Sequence, residues 1–257
     1  MLAALKSKGA SQQQLRNEQV LKRAEIALTR AIRNAKNAFI GDCASAYESH
    51  RERDFHLQLL THRVAIRQLL AQQAQVIIPR FGRMTLADIH TLAVKGADDS
   101  FFSRLVEQWI RERGQPQAAQ IATTSLADVI KAVEAGVAAL EGTEAIARRI
   151  RRVTNLSIWR ANTIARTETH GAALFAQAST ARQAEQDYGL KLVKTWLPTL
   201  DSRTRDAHAA MARHPAIPLD EKFNVGGVMM DRPGDPSAPP ALLCNCRCTM
   251  VMSEAPE

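Results

Sequence analysis

Three of the four cysteines in this 257-residue chain, Cys244, Cys246 and Cys248, fall within five residues of one another. Some forty residues earlier stands a histidine-bearing string, D-S-R-T-R-D-A-H at 201–208. Thiols this close together can bind a thiophilic metal, run redox chemistry or pack one buried face of a strand. A zinc centre would take His208 with Cys246 and Cys248. Zinc sites, however, usually separate their paired cysteines by two to four residues, and here a single residue intervenes. A strand over 244–252 would instead place Cys244, Cys246, Cys248, Met250 and Met252 on one face. Free cysteine is among the most buried residue types, so the strand face is the expectation. No cofactor is expected, with zinc at His208, Cys246 and Cys248 as the alternative.

The other candidate chemistry is basic. The run A-R-R-I-R-R at 147–152 brings together Arg148, Arg149, Arg151 and Arg152, and Arg160 follows. Such a stripe can touch phosphates without reading base sequence, or it can be a solvated helix face. Glu168 and His170 invite a catalytic pairing, but a spacing of two puts them on different faces of a helix. There is no Walker loop, G-x-G-x-x-G, H-E-x-x-H or nucleophile elbow. The chain is therefore expected not to be an enzyme. A metal-dependent nuclease or hydrolase built on His208 and the cysteines is the alternative.

Helices must position most of these residues. Ala, Gln, Arg and Leu abound while Phe, Trp and Tyr number only seven, three and two, which favours helices over an aromatic-cored β-fold. Residues 12 to about 76 read as one or two amphipathic helices, with Gly41 the only glycine and Pro79 the expected stop. Leu15, Val20, Leu21, Ile26, Leu28, Ile32, Phe39 and Ile40 mark the first apolar stripe. Phe55, Leu59, Leu60, Val64, Ile66, Leu69 and Leu70 mark the second. A short helix opening at Thr85 or Asp88 should reach Val94, and Asp98 to Ser100 should cap another running to Ile110. Gly114 to Pro116 should break it. Helices over about 125–140, 143–153 and 157–188 follow, and Gly189 should end the last.

From Leu190 the period changes to two. A strand to Pro198, a short helix from Arg203 capped by Asp201 or Ser202, and a Gly226-Gly227 hairpin come next. The proline-rich loop 231–240 then leads to the final strand. The expected fold is mainly α, with long amphipathic N-terminal helices before a small α+β module carrying a short antiparallel sheet. The division is placed at 1–142 and 143–257.

Net charge is +8, yet residues 190–257 hold eight Lys and Arg against eight Asp and Glu. All of the excess lies in residues 1–189, which points to a polyanion or an acidic protein surface as partner. Four cysteines without a paired framework suit a reducing compartment. Lys6, Lys8 and the glutamines at 12–14 interrupt any signal-like segment near Met1, and no apolar run suggests a membrane span.

Taken in order, R-A-N-T-I-A-R-T-E-T at 160–169, Trp196, D-S-R-T-R-D-A-H, Phe223 with its Gly-Gly turn, P-G-D-P at 233–236 and N-C-R-C at 245–248 resemble the Mu F-like minor head proteins of tailed bacteriophages. The resemblance covers about residues 143–252. It implies a low-copy protein inside the virion head, in the host cytoplasm during assembly. It also implies association with the portal protein and action in head assembly or on the DNA that passes through the portal; major capsid or scaffolding protein, and DNA bound non-specifically, are the further partners expected. Many members have a C-x-x-C in the segment equivalent to 205–208. Here Arg205 and His208 stand there, one ligand short. Asp201, Arg203, His208, Asn245, Cys246, Arg247 and Cys248 then read as a fold-locking signature.

Overall fold

A computed structural model describes residues 2–89, 99–153 and 157–255, with side chains described except at 2–18 and 157–158. The expected core position Leu15 falls where side chains are not described, and the expected end at Val94 and cap at Asp98 lie outside the described residues. The fold is mainly α with a small α+β C-terminal module. Helix α1 runs Leu2–Glu48, α2 Phe55–Ile89, α3 Asp99–Trp109, α4 Gln115–Ala138, α5 Thr143–Arg152 and α6 Ser157–Tyr188. Strand β1 (Leu192–Leu197), helix α7 (Asp206–Ala209), β2 (Ile217–Pro218), β3 (Phe223–Val225), β4 (Val228–Met230), helix α8 (Pro240–Leu243) and β5 (Thr249–Glu254) complete the order. No helix among the described residues is long and apolar enough to cross a membrane.

Several helix boundaries differ from expectation, each for a local reason. The first break comes at His50, at φ +53°, and α1 passes through Gly41. A helical glycine costs only about 1 kcal/mol against alanine, which the burial of Phe39, Ile40 and Cys43 around it outweighs. Proline 79 does not stop α2, and Thr85 and Asp88 lie within that helix. An interior proline costs about 3 kcal/mol. Ile77, Ile78 and Phe81 beside it are at most 1% exposed, and each buried side chain of that size returns about 1.5–3 kcal/mol. Thr85 donates its hydroxyl to the Phe81 carbonyl at 2.9 Å instead of capping a new helix. Gly114 to Pro116 does not separate two helices. A π-type turn over Ile110–Gly114 leads directly into α4, and Pro116 sits in that helix's first turn, where its missing N–H is not needed.

The chain divides into two compact units. One comprises Ile26–Gln73 and Gln108–Ala165. Its cores join Leu28, Ile32, Ile66, Leu70 and Ile121, and separately Phe39, Ile40, Cys43, Val129, Ile146 and Ile150. Ile26, Leu60 and Val64, expected on the apolar stripes, are exposed. Buried polar groups also line a small cavity here. Lys36 pairs with Asp128 at 3.2 Å, and Arg160 reaches the same carboxylate at 3.4 Å. His62 stacks on Phe39 with ring centroids 4.6 Å apart, and neither of its ring nitrogens has a hydrogen-bond partner.

The other unit comprises Met1–Glu25, Ala74–Glu107 and Arg166–Glu257. Gly82 of α2 lets Phe102 of α3 approach so closely that an added Cβ would lie 2.2 Å from its ring. Gly189 ends α6 at φ +66°, as expected. Strand β1 is the centre of an antiparallel sheet ordered β2-β1-β5, with Leu192 opposite Glu254 and Leu197 opposite Thr249. The hairpin forms as expected, and Gly226 and Gly227 take φ +61° and +89°, the two positive values its tight turn needs. Trp196, Phe223, Met230, Met250 and the small residues Ala178, Ala181 and Ala184 of α6 build the core.

Lys194 of β1 is 1% exposed and donates to the Asp231 carboxylate at 2.8 Å and to its carbonyl at 2.9 Å. Arg182 and Arg232 complete the cage around that carboxylate. Burial pushes the Lys194 ammonium down from its usual range, opposed by the Asp231 bond.

Two outcomes follow from these buried charges. Asp231→Ala should lower unfolding free energy by about 3–5 kcal/mol in urea titrations, because it strands the buried Lys194. Burial, then the cations of Lys36 and Arg160, depress the His62 pKa from 6.5 to about 4. The unfolded chain therefore binds a proton that the fold refuses between those values. Stability should fall as pH drops from about 6.5 to about 4, by up to ~1.4 kcal/mol per pH unit from this residue, and His62→Phe should flatten that part of the curve.

Candidate functional site

The residues of D-S-R-T-R-D-A-H and N-C-R-C meet, though not through the expected strand. Residues 244 and 245 form a turn, 246–248 are irregular, and β5 begins only at Thr249. This corrects the placement of Cys244, Cys246 and Cys248 on a strand face. Met250 and Met252 do share the buried face of β5, at 0% and 5% exposure. The cause lies at Asn245, which takes φ +58°. Asparagine accepts this left-handed conformation better than most residues, and one such residue breaks a strand's extended run.

An irregular buried segment must find partners for its backbone groups outside a ladder. The Arg205 guanidinium donates to the Cys244 carbonyl at 2.5 Å, and the Thr199 hydroxyl donates to the Arg247 carbonyl at 2.9 Å. From α6, the Thr167 hydroxyl accepts the Asn245 N–H at 3.2 Å. His170 Nε2 lies 2.5 Å from the Cys248 carbonyl, the geometry of an N–H donor. Thus the R-T-E-T-H stretch of α6 grips the segment from one side and 199–208 from the other. Thr167 and His170 were not among the expected site residues. The signal for them was their place in the 160–169 string and directly after it, where only a catalytic role for His170 was weighed.

Asp201 does not cap α7, whose N-cap is Arg205 without a side-chain bond. Its carboxylate receives both nitrogens of the Arg247 guanidinium fork at 2.6 Å. It also accepts the Arg203 N–H at 3.0 Å and the Thr204 hydroxyl at 3.2 Å. The Arg247 bonds chiefly, against some desolvation, hold the Asp201 carboxyl well below the usual carboxylate range. The Arg203 side chain is mostly exposed and sits 3.4 Å from the same carboxylate.

His208 is 2% exposed, and its Nδ1 lies 3.3 Å from the Cys248 sulfur and 3.6 Å from the Cys246 sulfur. The edge of Trp196 meets the imidazole at 87°. The hydrogen bond shared by the two thiols drives the Cys248 thiol down and, with burial, the Cys246 thiol up. His208 lowers Cys248 further. All four cysteines are free thiols. His208, Cys246 and Cys248 thus present one nitrogen and two sulfurs to a common point, a donor set that fits a thiophilic metal.

The arginine stripe lies on α5 and the start of α6. Arg149 pairs with Glu141, Arg151 reaches Glu48 through two nitrogens at 2.8 Å, and Arg160 shares Asp128 with Lys36. Arg148 stands 3.6 Å from Glu144 and is exposed, as is Arg152. The stripe is therefore partly engaged in holding its own unit together.

Residues 127–251 match the family model described as "Phage Mu protein F like protein". Over 125 residues the chain is 30% identical to the "Minor head protein GP7" of Bacillus phage SPP1. That alignment takes in 48% of this chain but 39% of the relative, so the chain spans well under half of that protein's length. No solved structure matches. Neither match names a nuclease or hydrolase.

The two arginines beside Asp201 should respond differently to a conservative change. Arg247→Lys removes a two-pronged bond that a lysine cannot make and should lower the melting temperature. Arg203→Lys, at a solvated site, should leave it within error. Differential scanning calorimetry of the two variants checks both outcomes.

Proposed function

We propose, from the match of residues 127–251 to the Mu F-like family model and to a minor head protein, that this chain is a structural minor head protein of a tailed bacteriophage. It sits inside the head, docks on the portal and acts in head assembly or in passage of DNA. The observation that carries this proposal is the joint match of family and relative over the segment whose motif residues close the C-terminal module. In this role the module serves as a rigid fold. Its conspicuous residues bond mainly to one another, as Asp201 with Arg247 and Arg205 with Cys244 illustrate. During assembly the protein resides in the host cytoplasm, where major capsid or scaffolding protein are further partners.

DNA contact belongs to the same proposal and is non-specific. The support is the +8 net charge with its excess in residues 1–189, and the exposure of Arg148 and Arg152 at the end of α5. Arg149, Arg151 and Arg160 contribute field more than contact, since Glu141, Glu48 and Asp128 hold them by hydrogen bonds, whereas Glu144 stands farther from Arg148, at 3.6 Å.

Co-expressed with the portal protein of its own phage, the chain should co-purify with it and appear in assembled heads. Loss from purified heads together with no binding to portal would remove the proposal. DNA binding should weaken steeply with salt, and the double variant Arg148→Ala, Arg152→Ala should flatten the log–log salt slope by about 2. An unchanged slope would exclude these two arginines as phosphate contacts.

A further inference from the structure

We propose that Cys246, Cys248 and His208 hold a thiophilic divalent cation of the zinc class, bound by the two sulfurs and by His208 Nδ1. The proposal stands apart from the role in the head. It rests on geometry that the one-residue spacing of the cysteines conceals. The three donor atoms lie within 4.8 Å of one another, and all three residues are buried. In a tetrahedral zinc site, bonds of about 2.0–2.1 Å to nitrogen and about 2.3 Å to sulfur place the nitrogen roughly 3.6 Å from each sulfur. The observed separations are 3.3 and 3.6 Å. A lone hydrogen bond needs only one sulfur at the imidazole, whereas two sulfurs there form a ligand set.

The surroundings suit the same occupant. The backbone that carries the cysteines is clamped independently of the thiols, by Arg205, Thr199, Thr167 and His170. Two ligands therefore stand ready without metal, which lowers the ordering cost of binding. A cavity of about 10 Å³ is lined by His208, Cys246 and Cys248 together with Thr199, Arg203 to Arg205, Asn245 and Arg247. A void of that size holds about one water molecule, which supplies the fourth position. Two thiolates neutralise a divalent ion, so the filled site carries no net charge in its buried setting. Binding releases to solvent whatever protons the two sulfurs carry.

The test uses the full chain, purified under reducing conditions and supplied with zinc, then freed of excess ion by gel filtration. Elemental analysis should find about one zinc per chain. Exchange for Co(II) should give thiolate-to-metal charge-transfer absorption with the d–d bands of a tetrahedral site. Cys43→Ser and Cys244→Ser should keep both signals, and His208→Gln should lose the tetrahedral bands. Cys246→Ser should lose both signals; where it does not fold, the His208→Gln result and the cobalt spectrum of the wild-type chain decide the matter. A folded wild-type chain that retains only substoichiometric zinc and shows no thiolate–cobalt band would overturn the proposal. So would full retention of the tetrahedral bands in His208→Gln.

Discussion

Four residues, Asn245 to Cys248, run through the C-terminal module without belonging to any strand, with Cys246 and Cys248 buried and Asn245 and Arg247 partly so. Every buried backbone group in such a segment that does not meet a partner costs about 1–3 kcal/mol. The rest of the module is arranged around this demand. Side chains from two stretches far apart in sequence, 167–170 and 199–205, reach in to bond Cys244, Asn245, Arg247 and Cys248. Directly after the segment, β5 pairs in register with β1 and places Met250 and Met252 in the core.

The same demand explains why the motif residues occur as they do. Arg205 satisfies the Cys244 carbonyl, and Asp201 orients the Arg247 guanidinium. Asn245 supplies the left-handed bend, and Thr167 and His170 of α6 reach across to the Asn245 N–H and the Cys248 carbonyl. His208 and the two thiols then occupy the one part of the cluster whose donors converge on a point instead of on the backbone.

Much of this was legible in the sequence because local rules and tertiary structure agree. Helix α6, its stop at Gly189, the strand after it and the Gly226-Gly227 hairpin all follow from period and turn chemistry. Pro79 and Gly114 to Pro116 misled because burial of neighbouring side chains and a π-type turn override a single residue's preference. The alternation of cysteine and methionine over 244–252 imitates a strand. Only Asn245, one residue with a tolerance for positive φ, signals otherwise, and its weight depends on partners distant in the chain. Arg149, Arg151 and Arg160 look like a surface stripe when their acidic partners, at 141, 48 and 128, are not in view.

The central claim is that the 245–248 segment locks the module as one cooperative piece, and native-state hydrogen exchange tests it most directly. The amides of β1, β5, α7 and residues 246–248 should open with one common free energy and one common denaturant dependence. Exchange of 246–248 and α7 at markedly lower free energy than β1 and β5 would contradict the account. It would mean that the cluster rests on the sheet and does not hold it.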